Sequence, residues 1–334
     1  MRLRTSDPHK PGYRRRRHGR GFSYLTPDGA PVTEDERDRI KALAVPPAWT
    51  DVWICPYPNG HLQAVGTDAA GRRQYLYHPE FRALRDQAKH EHVLQVSACL
   101  PQLRAAVEQD LQRRGLVRER ILACAVRLLD LGLFRIGSDA YARDNGSYGL
   151  TTILRSHVTL SRGEVHFDYP AKSGQRRTSA LADPQTRTVV RALLHSRHPG
   201  DRLLIHRQGR EWHEVHGSDL NEYLHEASGC DLTAKDFRTW NATVIAAVGL
   251  AVSLPVADGS QAARTRAVAR VVREVAHYLG NTPAVCRASY INPQLIELFE
   301  DGVTIAPALG ELGSSGAPVA TQGPVEDAVR ALLS

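Results

Sequence analysis

The spacing of apolar residues changes near residue 90, and that change limits what the chain can fold into. Before it, the pattern has the period of two that a strand requires. His61–His78, HLQAVGTDAAGRRQYLYH, reads as a hairpin whose alternating runs flank the turn Asp68-Ala69-Ala70-Gly71. The same period puts Tyr75 and Tyr77 on one face of its second strand. After residue 90, apolar residues return every three or four positions, as in Leu103, Val107 and Leu111, then Ile121, Ala125, Leu128 and Leu129. Residues 157–180 interrupt these helices. HVTL, EVHFDY and RRTSAL read there as three antiparallel strands, turned at Arg162-Gly163 and at Ala171-Lys172-Ser173-Gly174.

Helices resume further on. Thr233 and Asp236 form a capping-box-like start for a helix running toward Val252. Val268, Val271, Val272, Val275 and Leu279 make a 3.6-residue stripe that Gly280 stops, and Asn292-Pro293 opens a helix that Gly302 closes. The expected fold is α+β. A small β-rich N-terminal domain spans 21–90, and a mainly helical domain with a three-stranded β piece spans 91–305, with the boundary near 85–95. Residues 1–20 are expected to be a flexible basic arm and 306–334 a low-complexity tail. Within that tail, 306–323 is rich in Ala, Gly, Pro and Ser and is expected to be disordered.

Charge is distributed unevenly. Residues 1–20 hold eight Arg and Lys against one acid, Asp7, which equals the whole chain's net charge of +7, so residues 21–334 are balanced. A basic arm on a neutral body suits contact with an anionic polymer. No apolar run is expected to reach the length of a membrane span, and the basic N-terminus lacks the apolar stretch of a secretory signal. A cytoplasmic location is the expectation. The five cysteines, Cys55, Cys99, Cys124, Cys230 and Cys286, are widely spaced and form no C-x-x-C pair, so they are expected to be reduced thiols. His206, His213, His216 and His225 match no standard metal-ligand spacing, and no metal site is expected.

Breaking a phosphodiester without a metal requires an amino-acid oxygen as nucleophile, fixed cations for the charge that builds on phosphorus, and an acid for the leaving oxygen. The chain has no H-E-x-x-H, no Walker loop and no D-x-D cluster that would point to another route. Arg135 follows an apolar stripe. Arg238 is placed in the first turn of its helix, where the dipole disfavours a cation. A phosphate drawn to both that helix end and Arg238 would explain the placement.

The segment Pro46–His78, PPAWTDVWICPYPNGHLQAVGTDAAGRRQYLYH, resembles the N-terminal signature of the bacterial, poxvirus-like branch of type IB DNA topoisomerases. FRIGS at 134–138, AKSG at 171–174, KDFRTW at 235–240 and LGNTPAVCRASYI at 279–291 follow in that family's order and spacing. The resemblance covers roughly residues 12–305. It implies a tyrosine-recombinase-like catalytic domain and, with the N-terminal domain, a clamp on double-stranded DNA. It implies Tyr290 as nucleophile, Arg135 and Arg238 as the arginines that bind the scissile phosphate, Lys172 as general acid, and Lys235 as a second lysine near the phosphate. Gln74, Tyr75, Tyr77 and Tyr141 match residues that contact DNA. Asn281 stands where the viral enzymes have a histidine. It can donate a hydrogen bond but carries no charge. The helix after Arg135 lacks the viral lysines while keeping Tyr141, which speaks against a viral-type sequence preference.

The implied activity is relaxation of supercoiled DNA through a 3′-phosphotyrosyl intermediate, by a monomer, with no cofactor and no ATP, in the cytoplasm at the nucleoid. Two alternatives stand beside it. One is a tyrosine recombinase or integrase, which usually shows H-x-x-R where this chain has Lys235-Asp236-Phe237-Arg238. The other is a non-catalytic DNA-binding protein.

Overall fold

The change of period separates two units, residues 1–89 and 90–334, in a computed structural model that describes residues 2–257, 259–310 and 321–334. In the first unit, β1 (Tyr13–His18), β2 (Gly21–Leu25), β3 (Thr50–Ile54), β4 (Leu62–Thr67) and β5 (Arg73–Tyr77) form an antiparallel sheet in the order β2-β1-β3-β4-β5. Helix α1 (Glu34–Ala42) covers one face, where Ile40 packs with Tyr13, Val52, Ile54 and Ala64. The ladder pairs Arg14 with Trp53, Trp53 with Val65, and Val65 with Tyr75. Paired residues share a face, so these four lie on the side opposite α1. Arg16 joins them by alternation. Arg15 points the other way, donating to the carbonyls of Val45, Pro46 and Trp49.

The expected arm is therefore largely ordered. Residues 13–18 are a strand of the sheet. Ahead of them Arg4 bridges Gly60, and the Ser6 hydroxyl donates to the Leu62 carbonyl at 2.9 Å. An unbroken run of arginines hides its strand period, because both faces read as polar.

Helix α2 (Pro79–Ser97) leads into the second unit. There α3 (Leu100–Leu111), α4 (Arg118–Gly132) and α5 (Asp139–Asn145) precede the antiparallel sheet β6 (Val158–Ser161), β7 (Glu164–Pro170) and β8 (Arg176–Leu181). Next come α6 (Pro184–Leu194), a hairpin of β9 (Ile205–Gln208) and β10 (Glu211–Glu214) that the sequence reading did not foresee, and α7 (Gly217–Ser228). The last elements are α8 (Ala234–Ala257), α9 (Gln261–Leu279), α10 (Pro283–Ser289), α11 (Pro293–Glu300), α12 (Ala306–Leu309) and α13 (Pro324–Leu333). Thr233 donates from its backbone and its hydroxyl to the Asp236 carboxylate, which opens α8 as the capping pattern suggested.

Helix α8 is the central element, packed against α4, α9, α11 and α13. Contrary to the sequence reading, it is long and apolar enough to meet the length and composition of a membrane span. More than half of its most apolar stretch is buried inside the protein, as in the core helix of a globular domain.

The tail is also more structured than expected, although the expected disorder at 311–320 lies outside the described residues. Helix α13 buries Val325, Val329 and Leu333. Its Glu326 is bonded by Arg104 at 2.5 and 3.0 Å and by the Trp240 indole at 2.8 Å, while Arg104 also grips Asp130. Ten residues of amphipathic helix were masked by the Gly- and Pro-rich stretch before them. The cysteine expectation is corrected too. Cys99 and Cys230, 131 residues apart in sequence, form a disulfide across the α3 start and the α7–α8 loop, while Cys55, Cys124 and Cys286 are buried thiols. Sequence spacing carries no trace of a contact made only by the tertiary fold.

Candidate active site

Two helices end side by side, and their ends organise the site. Helix α4 stops at Leu133 and α9 at Gly280, each in the left-handed region with φ of 53° and 61°. Such ends leave carbonyl oxygens without helical partners, and the helix dipole makes them negative. Three guanidinium groups take up these oxygens. Arg238, on α8, donates to the Leu133 carbonyl and, at 2.8 Å, to that of Leu279. Arg135 donates to the Gly280 carbonyl at 2.7 Å and to Asn281 Oδ1 at 2.5 Å. Arg177, on β8, donates to the Tyr278 carbonyl at 2.9 Å and reaches that of Gly132 at 3.4 Å. Arg238 also bonds the Tyr290 phenol, and none of the hydrogen bonds described for these arginines goes to a carboxylate.

The charge is therefore held together by partial negative charges and left uncompensated. Burial, with repulsion from Arg135 and Arg177, brings the Arg238 guanidinium down to about 10, although the Tyr290 phenol acts in the opposite sense. Arg177 is lowered as well, by burial and then by Arg135. Among the buried donors without a partner, three belong to this site: Nε of Arg238, Nε of Arg177 and Nδ2 of Asn281. A buried donor left unpaired costs about 1–3 kcal/mol, so their gathering at one corner points to a missing acceptor with negative charge.

Local sequence explains each placement. Phe134 is fully buried, edge-on to Phe167 at 4.8 Å and stacked on Tyr169 at 6.2 Å, which anchors the backbone of Arg135. Leu150 N and Thr151 N donate to the carbonyls of Arg135 and Ile136, both at 2.8 Å. This approach demands Gly149, since a Cβ there would stand 2.5 Å from Gly137 N. Tyr290 caps α10, which opens at Thr282 and Pro283. Its carbonyl accepts from the Thr243 hydroxyl at 3.2 Å, and the Thr243 hydroxyl oxygen in turn accepts from Asn292 N. Helix α8 thus carries both Arg238 and the pin for Tyr290, whose ring centroid lies 5.4 Å from the Arg238 guanidinium.

Lys172 is exposed in the turn between β7 and β8. With Arg135, Tyr141 and Tyr148 it lines a cleft of about 180 Å³. Tyr141 projects from α5, which is fastened where Asp139 accepts from Arg202 and pairs with His216 at 3.0 Å. Arg135 thus belongs both to the cleft with Lys172 and to the corner with Asn281 and Arg238.

Other expected residues sit elsewhere. Lys235 is exposed in the first turn of α8 and makes none of the described contacts with this cluster. In the first unit, Tyr75 and Tyr77 are exposed and stack at 6.3 Å. Gln74 points to the opposite face and donates to Asp68 at 2.8 Å. Arg238 is the fifth residue of α8, not in its first turn, and its side chain runs to helix C-terminal carbonyls. The idea of a phosphate shared with the α8 N-terminus therefore falls. The histidines are dispersed: His206 stacks on His213, His216 meets Asp139, and His225 meets the Cys230 carbonyl. Among the described residues no group of three or more His, Cys, Asp or Glu could hold a metal ion. Arg177 was missed. Strand alternation in RRTSAL was the available signal, because it sends Arg176 and Arg177 to opposite faces.

This cationic corner beside a tyrosine, on a helical unit with a three-stranded sheet, belongs to a known family. Residues 78–302 match the family described as the catalytic core of eukaryotic DNA topoisomerase I, and residues 21–68 match the N-terminal domain of bacterial DNA topoisomerase IB. The chain belongs to the type IB DNA topoisomerases, isomerases that relax DNA by cleavage and religation. Among its relatives, DNA topoisomerase 1B of Acanthamoeba polyphaga mimivirus is 29% identical over 296 residues, 86% of this chain and 87% of the relative. DNA topoisomerase I of Monkeypox virus and DNA topoisomerase 1B of Vaccinia virus (strain Copenhagen) are each 18% identical over 282 residues, 81% of this chain and 85% of theirs. Membership of this family decides against the integrase and against the non-catalytic binder.

Proposed function

We propose that Tyr290, its phenol proton passing to water, attacks the scissile phosphorus of duplex DNA and forms a 3′-phosphotyrosyl bond, while the bond to the 5′ oxygen breaks and that oxygen leaves with a proton from Lys172. The observation that carries this reading is the set of unpaired buried donors on Arg238, Arg177 and Asn281 around a tyrosine. Arg135, Arg238 and the Asn281 amide stabilise the charge gained on the non-bridging oxygens. The phosphodiester is exchanged for another phosphodiester, so no ATP is consumed. Religation reverses the step, with the 5′ hydroxyl attacking phosphorus and Tyr290 leaving. The guanidinium charges take the place a metal ion would fill in other phosphoryl-transfer enzymes. All the groups needed come from one chain, which supports action as a monomer. Tyr75, Tyr77 and Tyr141 offer exposed rings and Lys235 an exposed charge to the DNA, whereas the bonded, inward position of Gln74 supports only an indirect part for it.

The test is denaturant trapping of a protein–DNA adduct in EDTA without nucleotide. Wild-type protein should trap and relax supercoils of both signs, and Tyr290→Phe should do neither while still binding DNA. An adduct with the Phe variant, or a strict need for a divalent ion, would overturn the scheme.

A further inference from the structure

That scheme uses two of the three arginines at the helix-end corner. Arg177 lies five residues past Lys172 and opposite Tyr169 in the β7–β8 ladder. Its neighbour Arg176 turns outward and pairs with Asp168 at 2.6 and 2.5 Å. Arg177 turns inward, with one Nη on the Tyr278 and Gly132 carbonyls and its Nε buried without a partner. A Cβ added to Gly280 would stand 2.9 Å from its Nη1, so the guanidinium sits close against the residue whose carbonyl Arg135 holds.

A purely structural bridge between helix ends needs no charge. A neutral amide could donate to the same carbonyls without the cost of burying a cation beside Arg135 and Arg238. Burial first, and then repulsion from Arg135, lowers the pKa of both Arg177 and Arg238. A phosphodiester gains about one unit of negative charge on reaching five-coordinate phosphorus, and a buried cation near it favours that gain over the ground state.

We propose that Arg177 is a positioning residue and third cation of the scissile-phosphate site, holding the Tyr278–Asn281 corner against the Arg135 loop and adding positive charge that acts when phosphorus becomes five-coordinate. The inference rests on the phosphodiester reading above. It also explains why Lys172 and the helix-end corner keep one geometry, since Arg177 fastens the strand that follows the lysine turn to the end of α9.

The experiment measures single-turnover adduct formation by the full chain carrying Arg177→Gln or Arg177→Lys. Two duplexes are used, one with an ordinary phosphate and one with an uncharged methylphosphonate at the same cleavage site. On the phosphate, the Gln variant should be slower by about ten- to a hundredfold, within the range for loss of an oxyanion stabiliser. The five-coordinate state of the methylphosphonate carries one negative charge on one non-bridging oxygen, which Arg135 and Arg238 already meet, where the phosphate carries two on two. There the Gln variant should lose less than about threefold, and Lys should recover most of the loss on phosphate. The Gln variant should melt no lower than wild type, because it sheds an uncompensated buried charge. An unchanged rate on phosphate, an equal loss on both substrates, or a variant too unstable to assay would each overturn the proposal. Wild-type protein and Tyr290→Phe run alongside. If wild type formed no adduct, or the Phe variant formed one, the function reading itself would fail and this inference with it.

Discussion

Asn281→Asp is the sharpest probe of the corner. The side chain keeps its shape and the oxygen that faces Arg135 at 2.5 Å, but the unpaired buried Nδ2 becomes a second oxygen. Where wild type offers a donor to a phosphate oxygen, the variant offers negative charge. Two unit charges about 4 Å apart interact by roughly 4 kcal/mol at an effective dielectric near 20. The reacting phosphate gains about one unit of charge, and pairing with Arg135 spreads the carboxylate's own, so about 3–4 kcal/mol of the lost stabilisation should fall on the transition state. At about 1.4 kcal/mol per decade, covalent cleavage should slow by roughly 10²–10³-fold. Stability should move the other way. Beside guanidinium groups, the introduced carboxylate should titrate below its unfolded value of about 3.9. Its stabilisation is then fully present above pH ~4 and lost as pH falls through the folded pKa. The variant should melt above wild type at pH 7, with the gain shrinking below pH ~4 and gone only once the pH is below the folded pKa. Asn281→His, which retains a donor, should keep activity within about tenfold. Cleavage by the Asp variant within threefold of wild type at pH 7 would refute the placement of Nδ2 against the phosphate.

Two further predictions test the frame around the site. Replacing Arg14 and Arg16 together by Ala should lower the slope of log K against log salt by up to about 1.8, two phosphate contacts at ~0.9 each, whereas Arg15→Ala should leave the slope unchanged and destabilise the first unit, because its guanidinium serves the carbonyls of Val45, Pro46 and Trp49; equal slopes for both would remove Arg14 and Arg16 from the DNA face. Glu326→Ala should cost about 3 kcal/mol in denaturant unfolding, the low end for breaking a buried pair, since Arg104 keeps Asp130 while the Trp240 indole loses its acceptor; a loss under 1 kcal/mol would mean that α13 is not held through this network.

Much of the site was legible because its residues sit where local sequence leaves marks. Gly280 ends a clean apolar stripe, Thr282 and Pro283 start the next helix, and the tyrosine caps it. The three short strands around Lys172 alternate plainly. What escaped depends on where a long side chain goes once the chain has folded. Arg238 was misplaced by a turn, and its partners are carbonyls 105 and 41 residues away. Gln74 shared a strand with Tyr75 and Tyr77, yet the same period of two that joined the tyrosines sends it to the other face. Tyr13–His18 hid as a strand because arginine on both faces gives no apolar alternation. Arg177 stood in plain view beside Arg176, and only the sheet register shows that one pairs with Asp168 while the other enters the core.

The arrangement of the three arginines also bears on why a cleavage site of this kind is built at helix ends. Carboxylates would have held the guanidinium groups more cheaply, but each would cancel a charge that the phosphate needs. Carbonyl oxygens at the ends of α4 and α9 fix the guanidinium planes with partial charges alone. They leave the net charge intact and the remaining donors unpaired. The price is local instability: buried donors without partners and cations that repel one another. That instability is offset by apolar burial elsewhere, in the Phe134, Phe167 and Tyr169 cluster and along α8. On the proposed reading, DNA phosphate relieves both costs at once, so the free energy withheld from folding becomes available for binding, and most of all to the five-coordinate state that carries the greater negative charge.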